Sequence, residues 1–238
     1  DNNLIELRDL KIPNKKVIEY EKTERARLQK SFGYTYEDFH SIILTMAKNG
    51  GEPIAAMGVD TPLAPISKQN PSLFEYFKQL FAQVTNPPID SLREKIVTST
   101  AVYIGTDGNI LEEKAENCHM LRINNPILTN TDLLKIKNMN NEGFKVAEIP
   151  ITYYKNTSLE KAIERMFMEA DRAHSDGANI LILTDRGVDE NHVAIPSLLA
   201  VSAMQQRMAK WICTAFPDSS MKSAETPLKK RLQTTSTE

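Results

Sequence analysis

The sequence predicts an α/β protein whose second half forms a mainly parallel sheet with β/α crossovers. Two strand candidates alternate with two helix candidates in the order 145–153, 157–177, 179–185 and 194–212. The segment "NILILTD" (179–185) is apolar without alternation, which is typical of a strand buried on both faces of a parallel sheet. Strand, helix, strand and helix in this order favour right-handed crossover connections.

The helix predicted over 157–177 has the clearest periodicity in the chain. Its apolar stripe recurs at helical spacing and comprises Leu159, Ala162, Ile163, Met166, Phe167, Ala170 and Ala173. Gly177 is the expected C-cap. In the helix predicted over 194–212, Pro196 stands near the first turn, where proline is tolerated.

The first half is predicted to be helical and irregular. Thr35 and Asp38 resemble a capping box at the start of a helix over 34–50, which Gly50 and Gly51 end. Further predictions are listed in chain order: a short strand or strap within 1–15, an irregular proline-rich loop over 52–67, a helix from Ser72, a strand over 96–104, a turn at 105–109, and a helix over 131–140 capped by Thr129 or Asn130.

Composition is that of a globular protein, with 41% hydrophobic and 25% charged residues among 238. The formal net charge of -2 argues against a dedicated nucleic-acid binder. Two distant cysteines, Cys118 and Cys213, predict no metal site and fit a reducing cytoplasm. The sequence contains no run of about 18 apolar residues, so no membrane-spanning helix is predicted. The start, "DNNLIELRDL", is typical of the middle of a longer chain or of a processed or cloned fragment.

One site candidate follows a predicted strand. In "LTDRG" (183–187), Asp185 and Arg186 stand at the carboxyl end of a strand, where α/β folds place functional side chains. The alternative is that Asp185 only caps the next turn. The four histidines have no metal-ligand spacing, and the sequence has no phosphate-loop or nucleophile motif. A chain of this length without a catalytic constellation suits an internal domain of a larger enzyme.

The segment "QVTNPPID" (83–90) predicts a rigid corner between two helices. Asn86 precedes a proline and is therefore pushed out of the α region. Pro87 and Pro88 fix two φ angles. Asp90 is expected to cap the helix that restarts near residue 91, and Arg93 to pair with an acid across an interface.

Several segments resemble one family. "AAMGVDTPLAPIS" (55–67), "LFEYFKQLFAQVTNPPIDSLREKIVTS" (73–99), "NPILTNTDL" (125–133) and "ILTDRG…AIPSLLAVSA" (182–203) are similar to the central domain of the glutamate synthase large subunit. The resemblance runs in order over residues 25–203. Val59 stands where the family usually has a second acid beside Asp60, and the similarity fades after Ala203.

The resemblance implies a domain of an enzyme that makes two glutamates from glutamine, 2-oxoglutarate and a reductant. It implies an amidotransferase domain before this segment and an FMN-binding domain with an iron–sulfur cluster after it. It therefore implies no cofactor or metal in this segment, and partners that are the flanking domains and a small electron-donor subunit or ferredoxin. The family fold implies a degenerate, incomplete β/α-barrel-like arrangement. The segment alone is expected to be inactive.

The resemblance also implies a role for the rigid corner, beside the path that carries ammonia between the two active sites. The expected channel or interface residues are Thr85, Asn86, Pro87, Pro88, Ile89, Asp90, Arg93, Gly58, Asp60, Thr61 and Asp185. The expected division is a linker over 1–24, the central-type domain over 25–216 and a polar tail over 217–238. The alternative is a free-standing small-molecule binding or regulatory module with its pocket at 183–190.

Overall fold

The chain is a mixed α/β protein with small sheets, some of them parallel. The computed structural model describes residues 3–51, 53, 66, 72–77, 87–105 and 112–215, with side chains to residue 209 except that of residue 75. The described helices are α1 Lys22–Ser31, α2 Leu44–Asn49, α3 Glu94–Val97, α4 Asn130–Lys137, α5 Leu159–Ser175 and α6 Ser197–Ala215. The strands are β1 Leu4–Glu6, β2 Val102–Gly105, β3 Met120–Ile123, β4 Val146–Pro150, β5 Thr152–Tyr154, β6 Ile180–Thr184 and β7 His192–Ala194. Short 3-10 segments are Leu7–Asp9, Leu73–Phe77 and Ala115–Cys118, and Asp38–Ile43 is π-helical.

The described chain divides into two units, Asp1–Ile149 with Arg172–Ile182, and Pro150–Asp171 with Leu183–Glu238. The first unit contains a three-stranded sheet in the order β1-β3-β2. β1 lies parallel to β3, with Ile5 opposite Leu121, and β2 lies antiparallel to β3, with Ile104 opposite Leu121. Because directly paired residues point to the same face, these three side chains form one apolar row.

That row faces the core of the first unit. Leu121 is fully buried, and the buried side chains around it are Ile123, Ile136, Met139, Phe144 and Ile180. α4 contributes Ile136 to this core, and Met139 follows it just past the helix end. The N-terminal strand β1 is thus part of this sheet, although 113 residues lie between Glu6, the last residue of β1, and Met120, the first residue of β3.

The predicted strand–helix–strand unit of the second half is present as β4, α5 and β6. β4 and β6 form a two-stranded sheet. Asn179 N donates to Lys145 O at one end and Ile151 N donates to Thr184 O at the other, so the strands run in the same direction. This pair shows the parallel pairing that the sequence predicts, whereas β5–β7 and β2–β3 are antiparallel.

The second unit packs α5 and α6 with the β5–β7 pair. The stripe of α5 buries Ala162, Met166 and Ala170, as its periodicity predicts. The other buried residues of the second unit are Ile151, Ile195, Ala200 and Met204. Arg207 of α6 donates to the carboxylate of Asp171 and lies 5.6 Å from the ring centroid of Phe167 on α5. A cation over an aromatic face adds to the packing of the two helices.

Local capping follows the sequence closely. Asp38 N lies 3.2 Å from Thr35 Oγ1, and Thr35 N donates to Asp38 Oδ2 at 2.7 Å. Thr129 and Asp132 form the same reciprocal box at α4, with Asp132 N 3.1 Å from Thr129 Oγ1. Each box satisfies donors that the first turn leaves unpaired. Gly50 ends α2 at φ 65°, and Gly177 follows α5 at φ 88°.

The strand predicted over 96–104 is wrong in its first half. Ile96 and Val97 belong to the helical turn α3, and the strand begins only at Val102. The β-branched residues favour a strand by propensity, but Val97 N donates to Arg93 O and Thr98 N to Glu94 O. The hydrogen bonds of the turn that starts at Asp90 override that propensity.

Protonation of Asp132 is expected to weaken α4. The hydroxyl of Thr129 lowers the pKa of Asp132 from 3.8, with smaller contributions from the Thr129 backbone and Lys135. A lowered folded pKa means that this stabilisation is present above the unfolded pKa and disappears as pH falls through the folded pKa. Asp132→Asn should therefore cost roughly 0.5 kcal/mol of unfolding free energy at pH 7, since solvent screens the group. Urea unfolding at several pH values should show the difference from wild type shrinking as the pH falls below 3.8, the unshifted pKa; a difference that stays constant from pH 7 down to pH 2 would contradict the assignment.

Candidate functional site

The described part of the proline corner begins at Pro87 and leads into α3. Residues 87–90 are exposed and belong to no helix or strand, and the chain turns at 91–93. Asp90 Oδ1 accepts from Leu92 N at 3.1 Å and from Arg93 N at 2.9 Å. Asp90 O accepts from Glu94 N at 3.0 Å, so the helical turn grows directly from this residue. Asp90 thus caps the turn at 91–93, as its chemistry predicts, but the helix α3 begins only at Glu94 and its N-cap residue Arg93 makes no side-chain capping hydrogen bond.

Arg93, in the same turn, stabilises the negative charge of Asp90. Arg93 Nε donates to Asp90 Oδ2. This side-chain bond first, and the Arg93 backbone bond second, lower the pKa of Asp90 from 3.8. The sequence predicts a partner for Arg93 across an interface; in the structure its guanidinium pairs with the acid three residues earlier. Residues 87–97, called the braced corner below, thus contain an ion pair between two of their own residues.

The same corner exposes apolar side chains. Ile89, Leu92, Ile96 and Val97 are 38%, 89%, 78% and 58% exposed. Single exposed hydrophobic residues are ordinary, but here four of them fall within nine consecutive positions, and these four side chains are called the apolar patch below. The corner therefore combines fixed backbone geometry with an apolar surface.

Five predicted site residues lie outside the described residues: Gly58, Asp60, Thr61, Thr85 and Asn86. Asp185 is described and belongs to the second unit. It is half-buried and directly follows β6, where Thr184 O accepts from Ile151 N and Thr184 Oγ1 accepts from Arg186 N at 3.3 Å. Asp185 thus stands at the carboxyl end of a strand, as predicted.

An acid–histidine pair follows Asp185 in the same loop and was not predicted. Asp189 Oδ1 accepts from the backbone N–H groups of Asn191 and His192 at 2.7 Å each. Both carboxylate oxygens lie 3.0 Å from His192 Nδ1. The backbone bond from Asn191, and next the His192 side chain, lower the pKa of Asp189 from 3.8. The spacing D-x-x-H before a strand is the sequence signal for this Asx-type turn, which shapes the loop into β7.

His119 is a second histidine whose place comes only from the structure. Its Nε2 lies 2.7 Å from the carbonyl oxygen of Glu142, which can only accept, so this nitrogen carries the proton. The ring lies 4.7 Å from that of Phe144, a core residue. His119 therefore sits at the edge of the first core and links the start of β3 to the 142–144 segment.

The described residues contain no group of three or more His, Cys, Asp or Glu side chains placed to hold a metal ion. Cys118 is exposed and carries a free thiol. No helix in the described ranges is both long enough and apolar enough to cross a bilayer.

The fold is that of a mixed α/β protein whose braced corner exposes apolar side chains. The family model described as glutamate synthase central domain matches residues 27–214. The chain belongs to this family. It is 41% identical over 182 residues to the glutamate synthase [NADPH] large chain of Bacillus subtilis (strain 168), covering 76% of this chain and 12% of that protein.

Relatives with other electron donors match at similar levels. Ferredoxin-dependent glutamate synthase 2 of Synechocystis sp. is 42% identical over 188 residues, covering 76% of this chain and 12% of that protein. Glutamate synthase [NADH] of Schizosaccharomyces pombe is 41% identical over 185 residues, covering 76% of this chain and 9% of that protein. The chain thus spans about a tenth of the length of these curated relatives.

Proposed function

We propose that this chain serves as the central domain of a glutamate synthase, the enzyme that makes two glutamates from glutamine, 2-oxoglutarate and a reductant. In this role it joins an amidotransferase domain to an FMN-binding domain and helps to form the ammonia path between them. The observation that carries the proposal is family membership over residues 27–214, at 41% identity to a glutamate synthase large chain. FMN and an iron–sulfur cluster would belong to the later domain, and a small subunit or ferredoxin would supply electrons.

The braced corner supports the path. Ammonia must travel uncharged, so a wall that donated a proton to it would trap it as ammonium. Asp90 is an acid at the corner, but its pKa is lowered by Arg93, so at neutral pH its carboxylate is ionised and has no proton to give. Prolines at 87 and 88 keep the backbone fixed without adding titratable groups.

The apolar patch supports contact with the flanking domains. Leu92 and Ile96 are more than three-quarters exposed in this segment. In a chain roughly ten times longer, burying such side chains against a neighbouring domain is favourable, at about 25 cal/mol per Å² of apolar surface. The segment's own role is then structural, and we propose that it catalyses nothing alone. We also propose that β4, α5 and β6 belong to a degenerate, incomplete β/α-barrel-like arrangement.

Thr85→Val in the whole enzyme tests the path. The substitution keeps the shape of the side chain and removes the hydroxyl expected to face the ammonia path. Glutamine-dependent glutamate synthesis should fall about ten-fold, or ~1.4 kcal/mol in effective barrier, while synthesis from added ammonia should stay unchanged. Both activities are measured by glutamate formation under identical reductant.

Thr157→Val is the matched control, because Thr157 is an exposed threonine in the other unit. Its ratio of glutamine-dependent to ammonia-dependent activity should equal that of the wild type. An equal ratio in Thr85→Val would show that the hydroxyl has no part in ammonia transfer.

A further inference from the structure

A cleft of about 250 Å³ lies within the first unit, at the carboxyl ends of β1 and β3. Since these strands are parallel, their carboxyl ends meet at one edge of the sheet, which is where α/β folds commonly bind ligands. Its charged and amide lining residues are Glu6, Arg8, Arg122, Asn124, Asn125, Asp132 and Lys135. None of the residues that line this cleft belongs to 183–190, where the alternative prediction from sequence places a pocket.

Arg122 is one of the three cations that line this cleft. It stands on β3 opposite Glu6, on the face of the sheet away from the Leu121 core. Arg122 Nη1 lies 3.3 Å from Glu6 Oε1, which is long for a charge-assisted hydrogen bond. Arg122 Nε is buried and makes no hydrogen bond to any described part of the chain. A buried guanidinium N–H without an acceptor is rare and calls for an oxyanion or another acceptor at that position.

Lys135 is a second cation that its neighbours satisfy only in part. Its side chain is 11% exposed, and its Nζ lies 3.7 Å from Asp132 Oδ1, too far for a good hydrogen bond. Asp132 meanwhile accepts from Thr129 Oγ1 at 2.7 Å as part of the α4 cap. That cap already serves the start of α4, so the helix terminus is not the basis of the site.

The charges of the lining leave a positive excess. Arg8, Arg122 and Lys135 are three cations, against the two carboxylates of Glu6 and Asp132, which leaves one positive charge (3 − 2). Arg8 also lies 3.7 Å from Asp9, outside the lining, and its side chain is 77% exposed. The excess positive charge therefore resides on Arg8, whereas Glu6 and Asp132 balance the charges of Arg122 and Lys135. Arg122 and Lys135 can attract an anion because these carboxylates leave their N–H groups without full hydrogen bonding.

We propose that this cleft binds a small oxyanion, a carboxylate or a phosphate, between Arg122 and Lys135. The planar guanidinium suits two parallel hydrogen bonds to a carboxylate or phosphate, and Lys135 adds a compact positive charge. Glu6 competes with the ligand for Arg122 and so limits the affinity. The inference uses no residue of the corner at 87–97 and does not depend on the proposed function.

The test is calorimetric titration of the 238-residue chain with inorganic phosphate and, separately, with succinate, at constant ionic strength in chloride. Saturable binding of either anion is expected. Arg122→Gln and Lys135→Gln should each weaken it about ten-fold or more, the effect of losing a charge-assisted hydrogen bond. Glu6→Gln should strengthen it, because it removes the competing carboxylate. Arg27→Gln, an exposed arginine on α1, makes the same charge change and should leave the affinity unaltered.

Arg122→Gln and Lys135→Gln should weaken binding whereas Glu6→Gln should strengthen it, and damage to the fold would not produce both effects. Circular dichroism checks that each variant is folded. Succinate binding alone identifies the site as one for carboxylates, and phosphate binding alone as one for phosphates. If Arg122→Gln does not fold, Glu6→Gln and Lys135→Gln decide the question. Absence of saturable binding of both anions by the wild type, weaker binding by Glu6→Gln, or equal affinities of Lys135→Gln and Arg27→Gln would overturn the proposal.

Discussion

Leu121→Ala is expected to lower the free energy of unfolding by about 3 kcal/mol. Leu121 is fully buried at the centre of the first core, on the middle strand of the β1-β3-β2 sheet. Truncation removes apolar contacts with both flanking strands and leaves a cavity, since a three-stranded sheet fixed at both sides of β3 cannot close around it. Urea unfolding followed by circular dichroism measures the change.

Leu92→Ala is the matched control, because it makes the same chemical change at a side chain that is 89% exposed. It should change the unfolding free energy by less than about 0.5 kcal/mol. The assignment of Leu121 to the core would be wrong if the two substitutions cost the same.

Short-range features of this fold were predictable from sequence because their partners lie within a few residues. Each of these features requires only an accepting side chain and a backbone N–H three residues later in the chain. The examples are Thr35 with Asp38, Thr129 with Asp132, and Asp90 with Arg93. The stripe of α5 likewise follows from local periodicity. These contacts form wherever the segment becomes helical, whatever surrounds it.

The first sheet was not predictable in the same way. β3, the strand "MLRI", is four residues long, and only its two apolar positions around Arg122 hint at alternation. Its pairing with β1 joins residues more than a hundred positions apart. Strand register of this kind is set by tertiary packing, so the Arg122–Glu6 pair and the cleft beside it could not be derived from spacing.

The candidate site was predictable to the same local extent. The stiffness of the corner and the cap at Asp90 follow from proline and aspartate chemistry. The pairing of Arg93 with Asp90 required the actual turn geometry, because residues three apart meet only if the intervening backbone is helical or tightly turned. The exposure of Leu92 and Ile96 also required the structure, since sequence predicts apolar residues to be inside.

Gly143→Ala is expected to cost about 3 kcal/mol, through two separable effects. Gly143 has φ +82°, where a residue with a Cβ is strained by about 1 kcal/mol. A Cβ there would also lie 2.9 Å from His119 Cδ2 and 3.0 Å from His119 Nε2. The ring cannot move away freely, because Nε2 is hydrogen-bonded to Glu142 O and the ring packs on Phe144. Relieving this overlap should cost roughly 1–3 kcal/mol more.

Two comparisons separate the strain from the overlap. Gly177→Ala places a Cβ at φ +88° with no atom within 4 Å, so it should show the backbone strain alone, about 1 kcal/mol. In a His119→Ala background, Gly143→Ala should fall to nearly the same cost, because the ring that the Cβ meets is gone. Chemical unfolding of the four proteins of this cycle gives the coupling between residues 119 and 143. A coupling near zero would mean that the ring yields without cost, and that His119 does not hold the 142–144 segment against the core.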